Sequence, residues 1–319
     1  MATAMKPGWS HPSTILFASE IPANEKALSF ARAQALEFGA HLILFHAYDT
    51  MVVLASETSG IRYYDYAAAA RAEINQLEPL AQKFRDDGIP CEVVVRPGLP
   101  ADQILNYLRE RPVDRIIMGT HCPGRIGKLL VGSVAEAVLR TAHVPVFIVG
   151  PEVVDARYRN YATNTILCAV SMNDNSYVVA ELACELALQH KARLVLQHVI
   201  KPQERAEVLA GRTIDDVETD LLSLIPDRLR NKINVQVTVV PGDPTEELLY
   251  QARAQQADLL VLGAQGASAF AAVARQGVVY KVLAHSHCPV MTLSPMVLEE
   301  CGVKHVKERH TELFLAGVF

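Results

Sequence analysis

The sequence predicts an α/β protein in which one mainly parallel sheet arrangement occurs twice. Short apolar runs alternate with helical patterns along the chain, which is typical of right-handed β-α-β crossovers between parallel strands. The same series of runs and turns then returns in the second half of the chain. The length agrees with a duplication, because 319 residues suffice for about two domains of ordinary size.

The first half contains the elements of one α/β unit in order. Apolar runs predict strands at 14–18, 42–46, 93–95, 116–119 and 146–149. Amphipathic patterns predict helices at 25–38, 66–84 and 101–110, and a fourth that begins near Ser133. Gly39 and Gly88 follow the first two helices, as glycine does at helix ends. This alternation predicts a doubly wound sheet.

Five features of the first half recur in the same order at nearly constant spacing. The matched pairs begin at Ile15 and Ile166, Leu42 and Leu194, Pro97 and Pro241, Asp114 and Asp258, and His143 and His287. Such an ordered series is hard to obtain by chance, so we interpret the chain as a tandem duplication. The expected units are residues 1–150 and 151–296, with a linker near 150–164 and a tail at 297–319.

A glycine-rich stretch with two cations follows the fourth predicted strand. It contains Gly119, Gly124, Gly127 and Gly132, together with Arg125 and Lys128, and ends where a helix is predicted to begin at Ser133. Glycine allows a close backbone approach, and a helix N-terminus offers unpaired amides with partial positive charge. The stretch therefore suits a phosphate group. An ordinary glycine-rich surface loop is the alternative explanation from this segment alone.

These residues resemble the universal stress protein family in its tandem form. The family hallmark is a Gly-x2-Gly-x9-Gly-Ser/Thr loop after the fourth strand. Gly119, Cys122, Gly132 and Ser133 follow that spacing, with Cys122 where the second glycine is usual. The resemblance covers almost the whole chain except the residues up to Ser13, the linker and the tail.

The resemblance implies a fold and a ligand. The implied fold is two tandem parallel five-stranded sheets of order 3-2-1-4-5, of the adenine nucleotide α-hydrolase-like type, arranged as a pseudo-dimer. ATP-binding members hold the nucleotide at the carboxyl ends of the first and fourth strands. The implied ligand is therefore ATP or a related adenine nucleotide, with or without Mg²⁺.

The resemblance also assigns roles to positions of this sequence. Glu20 would face the ribose, and Leu42 would offer main-chain atoms to the adenine. Cys122 would lie with the loop glycines around the phosphates. The loop positions around the phosphates would be Gly119, Cys122, Gly132 and Ser133. The positive charge that compensates the phosphates would come from Arg125 and Lys128.

The second copy lacks several of these features. Its loop keeps Gly263 and Gly266 but has Gln276-Gly277 where the first copy has Gly-Ser. Alanines 269 and 272 stand in place of the two cations, and Ser171 replaces the acidic residue. An apolar loop compensates a phosphate poorly for lost hydration. We therefore expect the second half to be a structural partner without ligand.

Three functions remain open at this point. The first is a nucleotide-binding stress-response protein. The second is a ligand-free scaffold that pairs its halves through their last strands and acts through dimerisation and protein partners. The third, an adenylating enzyme, has no recognisable second-substrate residues. No catalytic triad, HExxH motif, Walker sequence or pair of catalytic carboxylates is found, so a binding protein with at most weak ATP hydrolysis is favoured.

Charge and cysteine usage bear on the partners and the compartment of the protein. A net charge of −5 gives no reason to expect nucleic acid or an anionic membrane. Six cysteines without paired spacing and the lack of a signal or membrane-spanning run lead us to expect a reduced, cytoplasmic protein.

Two weaker alternatives for a functional site are Cys122 as a redox sensor and a metal cluster at 285–288. The tail suggests an amphipathic helix docked on this chain or on a partner.

Overall fold

The computed structural model describes residues 6–48, 66–120, 131–154, 163–172, 176–203, 205, 209, 211–263 and 277–300. The strands of the first half are β1 (Thr14–Ala18), β2 (His41–Tyr48), β3 (Cys91–Pro97), β4 (Arg115–Gly119) and β5 (Val146–Val149). Those of the second half are β6 (Thr165–Ala169), β7 (Arg193–Ile200), β8 (Asn234–Pro241), β9 (Leu259–Gly263) and β10 (Val290–Leu293).

Helices connect these strands in both halves. The first half contains α1 (Pro7–Ser10), α2 (Glu25–Phe38), α3 (Tyr66–Asp86), α4 (Pro100–Glu110) and α5 (Ser133–Thr141). The second half contains α6 (Ser176–His190), α7 (Ile214–Ser223), α8 (Asp227–Arg230), α9 (Pro244–Ala254), α10 (Val278–His285) and α11 (Pro295–Glu300). Gly39 ends α2 with a φ of 61° and donates its N–H to Ala35, which confirms the glycine stop predicted there.

All ten strands form one sheet of order β3-β2-β1-β4-β5-β10-β9-β6-β7-β8. Pairing within each half is parallel, and each half has the predicted order 3-2-1-4-5. The halves meet where β5 and β10 pair in antiparallel register, with Met291 opposite Phe147. The two expected sheets are therefore continuous. Each of these two strands has a neighbour on both sides, so further chains cannot associate through the same edges.

The central strands have buried apolar side chains on both faces. Ile15 and Phe17 point into one hydrophobic cluster, whereas Leu16 points into the other. In the second half Ile166 and Leu167 divide between the same two clusters. Helices cover both faces of a parallel sheet, so such strands consist of continuous apolar runs. Both clusters contain residues of both halves, so the halves share their core.

An aspartate just before β4 or β9 fixes the start of each half. Asp114 Oδ2 accepts hydrogen bonds from the N–H groups of Ser13 (2.7 Å) and Thr14 (2.9 Å). Asp258 Oδ2 accepts from the N–H groups of Asn164 (2.9 Å) and Thr165 (3.1 Å). Asp114 and Asp258 belong to one of the five repeated features, and this bonding gives them the same structural role.

The N-terminal segment lies outside the repeat but packs into the protein. Trp9 is 1% exposed, and α1 contacts α6 of the second half. The Trp9 carbonyl accepts a hydrogen bond of 2.8 Å from Arg115, which is fully buried and also donates to Gln34. The Arg115 guanidinium lies over the rings of Phe38 and Phe147 at 5.1 and 4.8 Å. The segment therefore joins the two halves.

The segment after the last strand of each half crosses to the other half. After β5, Val153 is buried and Val154 donates its N–H to His287 in the second half. After β10, Ser294 Oγ donates to the Ala142 carbonyl at the end of α5, and α11 packs against α5. The expected linker thus begins with a packed arm. Helix α11 overlaps the expected tail only at residues 297–300; residues 301–319, on which the predicted amphipathic helix depends, lie outside the described part.

Candidate functional site

A cavity of about 400 Å³ opens at the carboxyl ends of β1, β2 and β4. Its walls come from these strand ends and from the first turns of α4 and α5. In a sheet of this order β1 and β4 are neighbours whose crossovers leave in opposite directions, which opens a crevice between them. The fold therefore positions a concave site where a doubly wound sheet usually binds its ligand.

The start of α5 presents backbone N–H groups to this cavity. Gly132 is the N-cap residue of this helix, and as a glycine it has no side chain that could accept a capping hydrogen bond. The first bond of the helix runs from Glu136 N to the Gly132 carbonyl, at 2.9 Å. The amides of Ser133, Val134 and Ala135 precede that bond, and all three residues line the cavity. Amides in this position attract an anion.

Thr120 adds a buried hydroxyl to the same cavity. Its N–H donates to the Val149 carbonyl at 3.1 Å, which extends the pairing of β4 with β5 by one residue. The residue is 7% exposed, and its Oγ1 has no hydrogen-bond partner among the residues that the structure describes. A buried hydroxyl without a partner costs free energy, which a polar ligand in the cavity would recover.

Part of the cavity wall is apolar. Phe45 of β2, Ile104 of α4 and Met118 of β4 line it. The ring of Phe45 packs against that of Tyr107 with centroids 5.2 Å apart. His46 Nδ1 donates to the Ser19 carbonyl at 2.9 Å, so this bond holds the ends of β1 and β2 together. A ligand with one anionic and one flat apolar part would match the two walls.

Gly119 lines the cavity, and packing explains why this position has no side chain. A Cβ atom there would lie 2.7 Å from Cβ of Asn24. Asn24 is the N-cap of α2 and accepts a hydrogen bond from Ala27 N. Gly132 is different, because a Cβ there would meet no atom of the described residues within 4 Å. The first glycine therefore allows α2 to begin against β4, and the last has space for a side chain beside the described walls of the cavity.

The structure brings four of the predicted site residues together and separates a fifth. Glu20, Gly119, Gly132 and Ser133 all line the cavity. Leu42 is fully buried near the amino end of β2, where it pairs with Ile15. It therefore lies toward the opposite edge of the sheet, and His46 and Ala47 are the β2 residues at the cavity. The predicted positions Cys122, Arg125 and Lys128 lie outside the described residues.

A family model described as the universal stress protein family matches residues 13–150 and 162–294. The chain belongs to the universal stress protein family. The universal stress protein YxiE of Bacillus subtilis is 30% identical over 131 residues, which are 39% of this chain and 88% of that relative. A universal stress protein of Thermus aquaticus is 31% identical over 126 residues, with the same shares of both chains.

Solved structures agree with the tandem arrangement. A universal stress protein from Archaeoglobus fulgidus aligns with a TM-score of 0.67 and 20% identity, over 90% of this chain and 97% of that one. A functionally unknown protein from Pseudomonas aeruginosa aligns with a TM-score of 0.61 and 18% identity, over 96% and 100%. At these identities the likeness establishes the shared fold alone.

The second universal stress protein unit keeps two features of the first and differs in the cap of the helix after its third strand. A Cβ on Gly263 would lie 2.5 Å from Val179 Cγ2 of α6, so this glycine permits packing against the helix after β6, as Gly119 does against the helix after β1. His198 donates to the Val170 carbonyl at 2.8 Å, as His46 does to Ser19. However, Asp243 caps α9 by accepting from Thr245 and Glu246, whereas Leu99 gives α4 no side-chain cap.

Three cysteine thiols of this universal stress protein are protected by burial. Burial raises the pKa of Cys91 and of Cys184 to about 12, and it also raises the pKa of Cys168. These thiols are therefore protonated and poorly nucleophilic at neutral pH. Within the described residues there is no cluster of three metal-binding side chains and no helix suited to span a membrane.

Proposed function

We propose that the first universal stress protein unit binds an adenine nucleotide, ATP or a close relative, and that the second unit supports it structurally. The observation that carries this proposal is the meeting of two kinds of hydrogen-bond donor in one cavity. The amides at the start of α5, which have no partner within the helix, and the hydroxyl of Thr120, which has none among the described residues, both line it. Together they offer a phosphate group several hydrogen-bond donors.

The remaining walls suit the other parts of a nucleotide. Phe45, Ile104 and Met118 offer an apolar surface to the base. Glu20 is the one carboxylate among the described residues that line the cavity, and it is proposed to accept from the ribose hydroxyls. A Mg²⁺ ion would then be held mainly by the phosphates.

The chemistry of the described cavity favours binding over catalysis. Glu20 and His46 are the titratable side chains on its described walls, and His46 already uses Nδ1 to hold Ser19. A nucleotide would order the walls on which it lies and so bias contacts with other proteins. The alternative, a ligand-free scaffold, depends on the shared sheet alone and needs no cavity.

A threonine-to-valine pair tests the proposal. Thr120→Val removes the unpartnered hydroxyl at nearly constant volume, so the free protein should keep its melting temperature or gain slightly. The rise of melting temperature at millimolar Mg-ATP should shrink, with an affinity loss of about 10-fold for one hydrogen bond to a charged group. The control is Thr292→Val, because Thr292 Oγ1 is bonded to the Val146 carbonyl at 3.4 Å, away from the cavity.

The control should lower the melting temperature without changing the response to ATP. Nucleotide released from the purified chain by heat, identified by mass spectrometry, would support the proposal independently. An unmodified chain that neither carries nucleotide nor responds to Mg-ATP would overturn it and leave the scaffold.

A further inference from the structure

The second half contains a buried amide without a partner. Gln197 on β7 is 1% exposed, and neither Nε2 nor Oε1 has a hydrogen-bond partner in the described part of the chain. Its backbone is satisfied, since its carbonyl accepts from Val170 N at 2.8 Å. Buried amide groups are nearly always paired with protein, water or ligand. The side chain of Gln197 therefore indicates a missing hydrogen-bonding group.

The position of Gln197 corresponds to a cavity wall of the first half. Gln197 pairs with Ala169 on the neighbouring strand, as Phe45 pairs with Ala18. Both Phe45 and Ala18 line the first cavity. Val195 and Val199, two residues to either side of Gln197, lie in the hydrophobic cluster that also contains Phe45. Because side chains alternate along a strand, Gln197 points to the face on which the first half holds its cavity.

The surroundings of Gln197 are smaller and less charged than those of Phe45. Val199 and Val279 occupy the repeat positions of Ala47 and Ala135, so branched side chains fill part of the space. Ser171 stands where Glu20 stood. Helix α10 has Gly277 as its N-cap and no side-chain cap, so its first amides have no partner within the helix. These features favour a small neutral molecule over a nucleotide.

We propose that the second half binds a small uncharged ligand at Gln197, one that presents a hydrogen-bond donor beside an acceptor. A carboxamide has this edge, and so does a nucleobase; either can pair with the Gln197 amide through two hydrogen bonds at once. The site would be separate from the nucleotide site of the first half. It gives the second half a binding role, in contrast to the empty partner expected from its loop sequence.

Side-chain amide resonances in NMR spectra of the ¹⁵N-labelled full chain test this proposal. The Gln197 Nε2 signals are assigned by their loss in Gln197→Leu, with Gln197→Met as a second variant of similar length. Acetamide and cytosine are titrated separately, in the presence of Mg-ATP so that the first cavity is occupied. Acetate, which has acceptors but no donor, is the control probe. Gln34 provides an internal control, because its buried Oε1 already accepts from Arg115.

The expected result is a saturable shift of the Gln197 signals that acetate does not cause and that is lost in both variants. A response to acetamide assigns a carboxamide-type ligand, and a response to cytosine alone assigns a nucleobase. Signals that move with neither probe, or that show contact with ordered water only, would overturn the proposal. So would probe binding that survives in both variants. Failure of ATP to bind would leave these readouts intact and would affect only the first-half proposal.

Discussion

The two halves of this chain share a framework and differ at one end of it. Both have the strand order 3-2-1-4-5, an aspartate that binds the start of the first strand, and a histidine that holds the ends of the first two strands. The differences gather at the carboxyl ends of the strands, where Phe45 corresponds to Gln197 and Ala47 to Val199. In a parallel sheet, that edge can change its chemistry while the central pairing is kept.

The largest expected effect is a loss of ATP affinity on substitution of Gly132, the N-cap of α5, with Gly277 at the N-cap of α10 as the comparison. Gly132→Glu places a carboxylate beside the proposed phosphates, and no atom of the described residues lies within 4 Å of its Cβ position, so the fold should tolerate it. Like-charge repulsion at close range should lower ATP affinity by at least about 100-fold. Calorimetric titration of ATP measures this change.

The matched control is Gly277→Glu at the N-cap of α10, which should leave ATP affinity unchanged. Equal losses in both variants would mean that the nucleotide does not distinguish the halves. Unchanged affinity in Gly132→Glu would reject the proposed position of the phosphates.

The next prediction concerns the segments after β5 and β10, each of which crosses to the other half. Alanine is placed at the equivalent positions 150 and 294 of these segments. A Cβ on Gly150 would lie 2.5 Å from the Leu283 carbonyl oxygen, so Gly150→Ala should destabilise the protein by about 2 kcal/mol through overpacking. Ser294→Ala removes the buried hydrogen bond to Ala142 and should cost about 1 kcal/mol. Urea denaturation gives both values. A neutral Gly150→Ala would show that the first arm is held loosely.

The free energy of unfolding, measured as a function of pH, should distinguish the halves through their buried thiols. Burial raises the pKa of Cys184 from 9.0 to about 12, and that of Cys168 rises too. From pH 9 upward these thiols ionise only in the unfolded state, so stability should fall by about 1.4 kcal/mol per thiol and pH unit. Cys91 acts in the same way in the first half, but Arg115 opposes it.

Burial lowers the pKa of Arg115 to about 9, so above that pH the folded state loses a proton that the unfolded state keeps. This raises stability with pH. Arg115 contributes equally in every cysteine variant, so replacing both Cys168 and Cys184 by alanine, which removes two buried thiols, should flatten the alkaline loss of unfolding free energy about twice as much as Cys91→Ala, which removes one. Denaturation at a series of pH values measures this; an equal or larger effect of Cys91→Ala would contradict it.

The smallest expected effect is a change in stability when the N-cap residues of the equivalent helices α4 and α9 are exchanged. Leu99→Asp should give α4 the cap that Asp243 gives α9, and should stabilise the protein by about 1 kcal/mol. Asp243→Leu should cost a similar amount, because Thr245 and Glu246 lose their acceptor. Thermal unfolding of both variants and of the double swap checks the sign. Two effects of the same sign would refute the equivalence of these helices.

Sequence patterns predicted the fold because strands buried on both faces must be apolar throughout. The runs at 14–18, 116–119 and 146–149 coincide with β1, β4 and β5 to within one residue. The repeat then extended the prediction to the second half. Periodicity does not show the packing of the N-terminal segment, because Trp9 and Arg115 lie far apart in sequence.

The candidate site was only partly predictable for a related reason. Gly119, Gly132 and Ser133 belong to one motif, so their spacing places them together. Leu42 was assigned to the ligand although β2 continues to Tyr48, and only its far end reaches the cavity. Thr120 and His46 were missed as lining residues. Thr120 follows Gly119 directly, so its position in the motif was a usable signal; the missing partner of its hydroxyl required coordinates.

The antiparallel ladder between β5 and β10 also sets a stoichiometry. Each unit meets its counterpart at a ratio of one to one, at the high effective concentration of a tethered segment, whatever the amount of protein in the cell. Two separate genes for unlike subunits would produce mixed and self-paired dimers. A single polypeptide avoids that competition, and mutations on one side of the ladder need not be compatible with a copy of themselves.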